Sequence, residues 1–151
     1  MSVRAELYDF DAARDSAQLE KMQRLQQDGI CIFCPEHVAE HHARPIAITG
    51  EHWYVTENAF PYPGVAAHYL IISHAHVASF HELPDAAGAE LWTLKRALWA
   101  RYDHLACATV ERSGAMQLNG GSIAHLHTHW VALPALPTRT VRFRVSAHAQ
   151  A

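Results

Sequence analysis

The sequence Gly120-Gly121-Ser122-Ile123-Ala124-His125-Leu126-His127-Thr128-His129-Trp130 decides how this chain of 151 residues is interpreted. The segment from His125 to Leu133 predicts a β-strand, in which side chains two residues apart project to the same face. The three histidines would share one face, and the residues between them would share the other. At about 3.3 Å per residue, the outer two histidines would be roughly 13 Å apart along the backbone. Because one metal ion could not easily bind all three, we predict that they have different roles.

The loop before the strand indicates what the histidines do. Two adjacent glycines and Ser122 offer unhindered backbone N–H groups and a hydroxyl to a phosphate oxygen. An imidazole with a pKa near 6.5 is largely neutral and nucleophilic at pH 7. Without this loop, surface histidines or a plain metal site would explain the strand equally well. With it, the segment predicts an attack by imidazole on phosphorus.

The rest of the chain predicts one α+β domain over residues 1–151, with an antiparallel sheet of about five strands. Apolar residues at helical spacing indicate a short N-terminal helix and one long helix, and β-favouring runs indicate the strands. Since only one long helix could cross the sheet, an antiparallel arrangement fits better than a doubly wound one. The predicted elements are a helix over 16–27, a loop or single helical turn over 36–44, strands over 51–57 and 68–73, a helix over 85–102, and strands over 105–111, 125–133 and 140–145.

Composition excludes several classes of function. A net charge of −3 without a basic stripe argues against a protein that binds nucleic acid through its phosphate backbone, although small phosphorylated ligands remain compatible. No apolar run approaches the roughly 20 residues needed to cross a membrane. Met1 to Asp11 has no apolar segment of the kind found in secretory signals, and three cysteines suit a reducing compartment. We therefore expect a cytoplasmic protein.

Two stretches of the chain resemble the histidine triad superfamily of nucleotide hydrolases and transferases. The first is Gly120 to Trp130. The second contains Asn58, the turn Phe60-Pro61-Tyr62-Pro63-Gly64, and the run from His68 to His76. Together the resemblance extends over roughly Cys31 to Leu133.

The resemblance implies a role for each matching residue. His127 would attack the α-phosphorus and form a covalent nucleotidyl-histidine, and His129 would bind phosphate oxygens and assist the leaving group. Ser122 would hydrogen-bond a phosphate or leaving oxygen, and the amides around Gly120 and Gly121 would stabilise developing charge. The resemblance also implies that Asn58 contacts the ribose and that Phe60 contacts the base. His68 could orient a neighbouring residue, although a structural role is the favoured interpretation.

Two departures from the family pattern concern the phosphate loop. Gly121 stands where many members have a glutamine before the loop serine. The asparagine expected earlier in the loop has no clean counterpart, and Asn119 and Gln117 are both candidates for it. The nucleophile is retained, and these departures leave open which leaving group is accepted; the missing glutamine also keeps open a nucleotide-binding module without useful catalysis.

Cys31 and Cys34 have the two-residue gap that allows two thiolates to bind one zinc ion. A redox role would require a thioredoxin-like βαβ setting, which the predicted element order lacks. By resemblance to zinc-containing members of the superfamily, the other two ligands would be His76 and His125. The local alternative is His37, with His41 and His42 behind it. Four protein ligands would make the zinc structural.

The sequence therefore predicts a nucleotide phosphohydrolase or nucleotidyltransferase that acts on a nucleoside phosphate ester, amidate or dinucleoside polyphosphate. The alternative is a zinc-stabilised nucleotide-binding module with little or no catalysis. A metal-storage or metal-sensing protein is a third hypothesis, but no basic nucleic-acid-reading element supports it. The resemblance also implies a homodimer.

Overall fold

The structure is a computed structural model that describes residues 5–102 and 106–149. All strand pairs of its five-stranded sheet are antiparallel, and the strand order is β1-β2-β3-β5-β4. The described helices and strands are α1 (Ser16–Asp28), α2 (Pro35–His41), β1 (Ile46–Thr49), β2 (Trp53–Glu57), β3 (Ala67–Ser73), α3 (Asp85–Arg101), β4 (Cys107–Glu111), α4 (Met116–Asn119) and β5 (His127–Ala132), with 3-10 turns at Phe10–Ala12 and Phe80–Glu82. The predicted α+β fold is confirmed.

The two faces of the sheet are buried under different layers, because alternate strand residues project to opposite sides. One core cluster packs Trp53, Ile71 and Trp130 against α3. The other packs Leu70 and Ile72 of β3 against α1 and the segment that contains the two neighbouring cysteines.

This alternation also decides where the histidines of β5 point. Trp130 lies in the layer under α3, so His127 and His129 project to the opposite face. The register pairs them with Ile72 and Leu70 of the central strand β3. The prediction that these two histidines share a face is confirmed.

Helix α1 leads directly into the segment that contains Cys31 and Cys34, called the cysteine segment below. It begins where the Asp15 side chain accepts a hydrogen bond from the Gln18 N–H, and it buries Met22 and Leu25. It ends at Gly29, whose φ of 71° lies in the left-handed region that side chains other than glycine rarely adopt. The chain therefore turns sharply into Ile30 and Cys31.

Several predicted boundaries are wrong. The 140–145 strand does not form, and β1 supplies the fifth strand instead. Helix α2 (Pro35–His41) extends over most of the 36–44 segment and is longer than the single turn predicted there, and His125 precedes β5 rather than belonging to it. Leu105, where a strand was predicted to begin, lies outside the described residues.

The absence of the final strand has a physical reason. Its alternation of apolar and charged residues satisfies the strand pattern, but a strand also needs a partner edge. Here the Arg144 carbonyl accepts a hydrogen bond from the Arg112 guanidinium, and the Ala147 N–H donates to the Leu118 carbonyl. The C-terminal segment therefore lies against the loop around α4.

Among the described helices, none has both the length and the apolar character that a membrane crossing requires.

Two Gly→Ala substitutions should change stability in opposite directions. A Cβ at either Gly29 or Gly88 would meet no atom within 4 Å, so only backbone conformation differs between the two sites. At Gly29 the positive φ should make Gly29→Ala cost about 1–2 kcal/mol of unfolding free energy. At Gly88, inside α3, alanine should add about 0.5–1 kcal/mol. Denaturant unfolding measures both values, and equal effects would contradict the assigned helix boundary.

Candidate active site and metal cluster

Four side chains meet between the sheet and the segment that follows α1. Cys31, Cys34, His76 and His125 each direct one ligand atom into this cluster, and these atoms all lie within 4.8 Å of one another. The two cysteines and His125 are buried, whereas His76 is exposed. A group of two thiols and two imidazoles at this separation could bind a metal ion. The described residues bring together the four that the sequence predicted.

The orientation of His125 is set by the sheet. Its Nε2–H donates to the Ser73 carbonyl at 2.7 Å, which leaves the Nδ1 lone pair directed at the cysteines. A ligating histidine commonly has such a partner on its other nitrogen. His37, the local alternative, is not one of the four clustered residues; its ring lies beside that of His41, 6.2 Å away.

The cysteine segment is held by one tyrosine. The Tyr8 hydroxyl donates to the Ile30 carbonyl at 2.7 Å and accepts from the Ile32 N–H at 3.0 Å, so it bonds the residues on both sides of Cys31. Because Tyr8 is 1% exposed, both bonds are shielded from water. The thiols therefore occupy fixed positions relative to β3 and His125.

His127 presents a defined nitrogen to the space beside the cluster. Its Nδ1–H donates to the His125 carbonyl at 2.7 Å, so Nε2 carries the free lone pair. The Phe33 ring packs edge-on against the imidazole, with centroids 5.1 Å apart. Burial lowers the pKa of His127 to about 4, with a smaller contribution from the Arg112 charge. The imidazole is therefore neutral at pH 7, as a nucleophile requires.

His129 belongs to a chain of buried hydrogen bonds. The Tyr62 N–H donates to Nδ1 of His68, so the proton of neutral His68 lies on Nε2. That nitrogen is 2.9 Å from Nδ1 of His129, to which it donates. The remaining proton of His129 is consequently on its own Nε2.

The imidazoles of His68 and His129, which form this series of hydrogen bonds, are both neutral. Burial lowers the pKa of His68 to about 3, with a further contribution from the Arg14 charge. Burial also holds the pKa of His129 well below its ordinary value, and His127, His68, Arg112 and Arg14 lower it further. At pH 7, His129 is therefore a hydrogen-bond donor without a formal charge.

A largely apolar cavity opens beside His127 and His129. Its walls come from α1, the cysteine segment and the turn after β2, and its lining includes Met22, Leu25, Phe33, Asn58, Phe60, Ser122, His127 and His129. The Asn58 side-chain oxygen accepts from the Phe60 N–H at 2.9 Å, which fixes that turn. The predicted nucleoside-side residues Asn58 and Phe60 thus line one space with Ser122 of the phosphate loop, whereas Gly120, Gly121 and Asn119 line neighbouring cavities.

The phosphate loop is shaped largely by internal contacts. Oδ1 of Asn119 accepts from the Gly121 N–H at 2.9 Å, and its side-chain nitrogen donates to the Gly114 carbonyl. Both Asn119 and Gly121 line a small cavity that reaches His127. Gln117 instead donates to Glu6. Asn119 therefore holds the loop, and its partner, the Gly121 N–H, is already bonded.

Sequence reasoning missed three contributors to the site. His68 was assigned a mainly structural role, but it contacts His129 directly. The Tyr62 ring stacks on His129 with centroids 5.5 Å apart, and Arg14 lines the same cavity. The pairing of His68 with Val131, the residue after Trp130, explains its proximity, but this register could not be read from the sequence.

The comparisons with known proteins address the fold. A histidine triad nucleotide-binding protein from Candida albicans superimposes with a TM-score of 0.59 at 19% identity, covering 80% of this chain and 87% of that one. A histidine triad protein from Clostridium difficile gives 0.54 at 18% identity, covering 73% and 96%. The chain has a histidine triad fold. Neither the family models nor the curated proteins searched contain a match to its sequence.

At this level of identity the similarity concerns the architecture alone. Within the histidine triad fold, the described contacts of this chain separate its three strand-region histidines. His125 belongs to the cluster of two cysteines and two histidines, His127 has a free Nε2, and His129 has a donor Nε2–H. The predicted division of roles is therefore compatible with the geometry.

The hydrogen bonds predict the tautomers of three histidines. In long-range 1H–15N spectra at pH 7, His127 should carry its proton on Nδ1, and His68 and His129 on Nε2. In His68→Phe the donor to His129 is lost, so its two nitrogens should shift toward an averaged position. His81→Phe, on an exposed turn, is the matched control and should leave these signals in place. A proton on Nε2 of His127 would contradict the assigned bond to His125.

Proposed function

We propose that this chain is a nucleotide phosphohydrolase or nucleotidyltransferase in which His127 forms a covalent bond to the α-phosphorus. The observation that carries the proposal is the bond from His127 Nδ1–H to the His125 carbonyl, which leaves Nε2 as a neutral nucleophile in a buried site. The histidine triad structures to which the fold is similar support this proposal. One is described as nucleotide-binding.

In the first step, Nε2 of His127 attacks the α-phosphorus and the bond from phosphorus to the leaving group breaks. His129 would donate its Nε2–H to a phosphate or leaving-group oxygen, and Ser122 would add a second hydrogen bond. Neutral donors already in place stabilise developing charge without having to reorganise. The covalent intermediate splits one displacement into two easier ones.

In the second step, water or another acceptor attacks the phosphorus and returns the electron pair to Nε2 of His127. Water gives hydrolysis, whereas phosphate or a sugar phosphate gives transfer. The nucleoside would occupy the apolar cavity, with Asn58 near the ribose and Phe60 beside the base.

We propose that the Cys31, Cys34, His76 and His125 cluster binds a structural zinc ion. Around a tetrahedral zinc, with bonds of about 2.3 Å to sulfur and 2.0 Å to nitrogen, sulfur–nitrogen separations would be about 3.5 Å and nitrogen–nitrogen separations about 3.3 Å. Three of the four sulfur–nitrogen distances in the cluster are 3.5, 3.2 and 3.8 Å, the nitrogen–nitrogen distance is 3.2 Å, and all four ligand atoms lie within 4.8 Å of one another. Four ligands leave no position for a reactive water.

The rival proposal is a nucleotide-binding module without useful catalysis. Its support is the phosphate loop, where the Gly121 N–H is already bonded to Asn119. A homodimer and a cytoplasmic location follow from the resemblance and the composition respectively, and they stay predictions.

Removing the nucleophile tests the first proposal. His127→Ala should lower turnover of every nucleotide substrate by at least about a thousandfold, because the variant lacks the nitrogen that is proposed to attack the α-phosphorus. Acid-quenched mass spectrometry of the wild type should detect a nucleotide attached at His127. His81→Ala is the exposed-histidine control. Unchanged turnover in His127→Ala would refute the proposal, and nucleotide binding without turnover in the wild type would favour the rival.

Metal analysis tests the zinc proposal. The purified chain should contain one zinc per molecule, and Cys34→Ser should lose it together with several degrees of melting temperature. His76→Ala and His37→Ala form a matched pair of surface-histidine variants. The first should weaken zinc binding by at least tenfold, and the second should not. The reverse result would favour the local ligand set.

A further inference from the structure

A second cavity adjoins the apolar one and is strongly basic. It is lined by four of the chain's twelve lysines and arginines, although the net charge of the whole chain is −3. They come from three separate segments: the turn before α1, the end of β4 and the C-terminal segment. The four are Arg14, Arg112, Arg142 and Arg144.

Among residues 5–102 and 106–149, no carboxylate forms an ion pair with any of the four, although the Asp15 carboxylate partly opposes the lowering of the Arg14 pKa. Arg112 donates to the neutral carbonyls of Asn119 and Arg144. Arg14 donates to the Phe60 carbonyl and lies over the Tyr62 ring, 4.8 Å from its centroid. Proximity to Arg112 is one cause of the lowered pKa of Arg14, after burial and alongside opposing contributions. Like charges gathered without an ion pair repel one another, and an anion bound between them would relieve that repulsion.

One of the arginines also has an unpaired donor. Nε of Arg144 is buried and has no hydrogen-bond partner among the described residues, whereas one of its terminal nitrogens donates to His148. A Cβ at Gly120 would lie 3.3 Å from that Nε and 2.5 Å from the Ser146 carbonyl oxygen. Glycine at this position therefore allows the C-terminal segment to approach the loop. A buried guanidinium donor without a partner is costly, and a bound anion would satisfy it.

The position of the basic cavity relates it to the reaction. Arg14, Ser122 and His129 line both the basic cavity and the apolar one. A nucleotide whose nucleoside lies in the apolar cavity would present its α-phosphorus to His127 at the junction. The group on the other side of that phosphorus would then enter the basic cavity.

We propose that the basic cavity is a leaving-group subsite for phosphate, so that the substrate is a nucleoside 5′-polyphosphate, with or without a second nucleoside, rather than a phosphoramidate. This inference rests on the proposed function. Guanidinium groups would bind the released phosphate chain bidentately. They would repel an amine that leaves as an ammonium ion. An amine also needs a proton from an acid, and His129 is held neutral here.

The chemistry balances without an added acid. Nε2 of His127 forms a bond to the α-phosphorus, and the bridging phosphorus–oxygen bond breaks, with its electron pair on the leaving phosphate oxygen. That phosphate departs as an anion among the arginines. Water then attacks, the phosphorus–nitrogen bond returns its electron pair to Nε2, and one proton of the water passes to solvent.

Charge removal at the subsite tests the proposal. In the double variant R142Q/R144Q, the ratio of kcat/KM for diadenosine triphosphate to that for adenosine 5′-phosphoramidate should fall at least tenfold. Arg139→Gln is the matched control, because Arg139 is exposed on the same segment but lines a different groove. If the double variant does not fold, Arg142→Gln alone, at an exposed position, should lower the ratio at least threefold. An unchanged ratio in a folded variant would overturn the proposal.

Two further measurements separate this inference from the proposed function. Inorganic tripolyphosphate should inhibit the wild type and bind the R142Q/R144Q variant at least tenfold more weakly in calorimetry. Comparing kcat/KM for adenosine triphosphate with kcat/KM for diadenosine triphosphate shows whether the second nucleoside contributes to turnover. Efficient turnover of the phosphoramidate alone, without tripolyphosphate binding, would overturn the inference and leave the proposed function intact. Tripolyphosphate binding at the arginines without turnover of any nucleotide would refute the proposed function and, with it, the assignment of this subsite to a leaving group.

Discussion

The antiparallel pairing of β3 with β5 is the constraint on which both the cysteine–histidine cluster and the placement of His127 and His129 depend. It places His129 opposite Leu70 and His127 opposite Ile72, and it ends where Ser73 accepts a hydrogen bond from His125. Because strand side chains alternate, a slip of one residue would move both histidines of β5 under α3. The apolar residues of β3 and β5 on the α3 side resist that slip, since it would remove them from the core cluster beneath α3. Packing on one side of the sheet thus maintains chemistry on the other.

When several imidazoles are buried in one layer, each ring nitrogen needs a hydrogen-bond partner or a ligand to bind. Buried polar groups without hydrogen bonds are destabilising. Here a backbone carbonyl accepts from His125 and another from His127, and a backbone N–H donates to His68, which in turn donates to His129. These bonds assign a proton to one nitrogen of each ring. The same contacts that make burial tolerable therefore leave one nitrogen of His125 and one of His127 free to act as bases.

Much of this arrangement could be predicted from local sequence. The histidines two residues apart, the glycines and serine before them, and the paired cysteines each point to one kind of chemistry on their own. Contacts between distant segments could not be predicted in the same way. The role of His68 depends on strand register, and the roles of Arg14 and Arg144 depend on which segments lie beside the loop. The strand predicted at 140–145 failed because alternation indicates an amphipathic segment and says nothing about the availability of a pairing edge.

The C-terminal segment contributes side chains to the site while making no strand of the sheet. Its attachment to the rest of the chain includes the bond from Arg112 to the Arg144 carbonyl and the bond from Ala147 to Leu118. Changes in this segment can therefore accumulate without disturbing the hydrogen-bonded ladder that holds His127. A fold built in this way can vary the residues around its cavities while the positions of His127 and His129 are inherited unchanged.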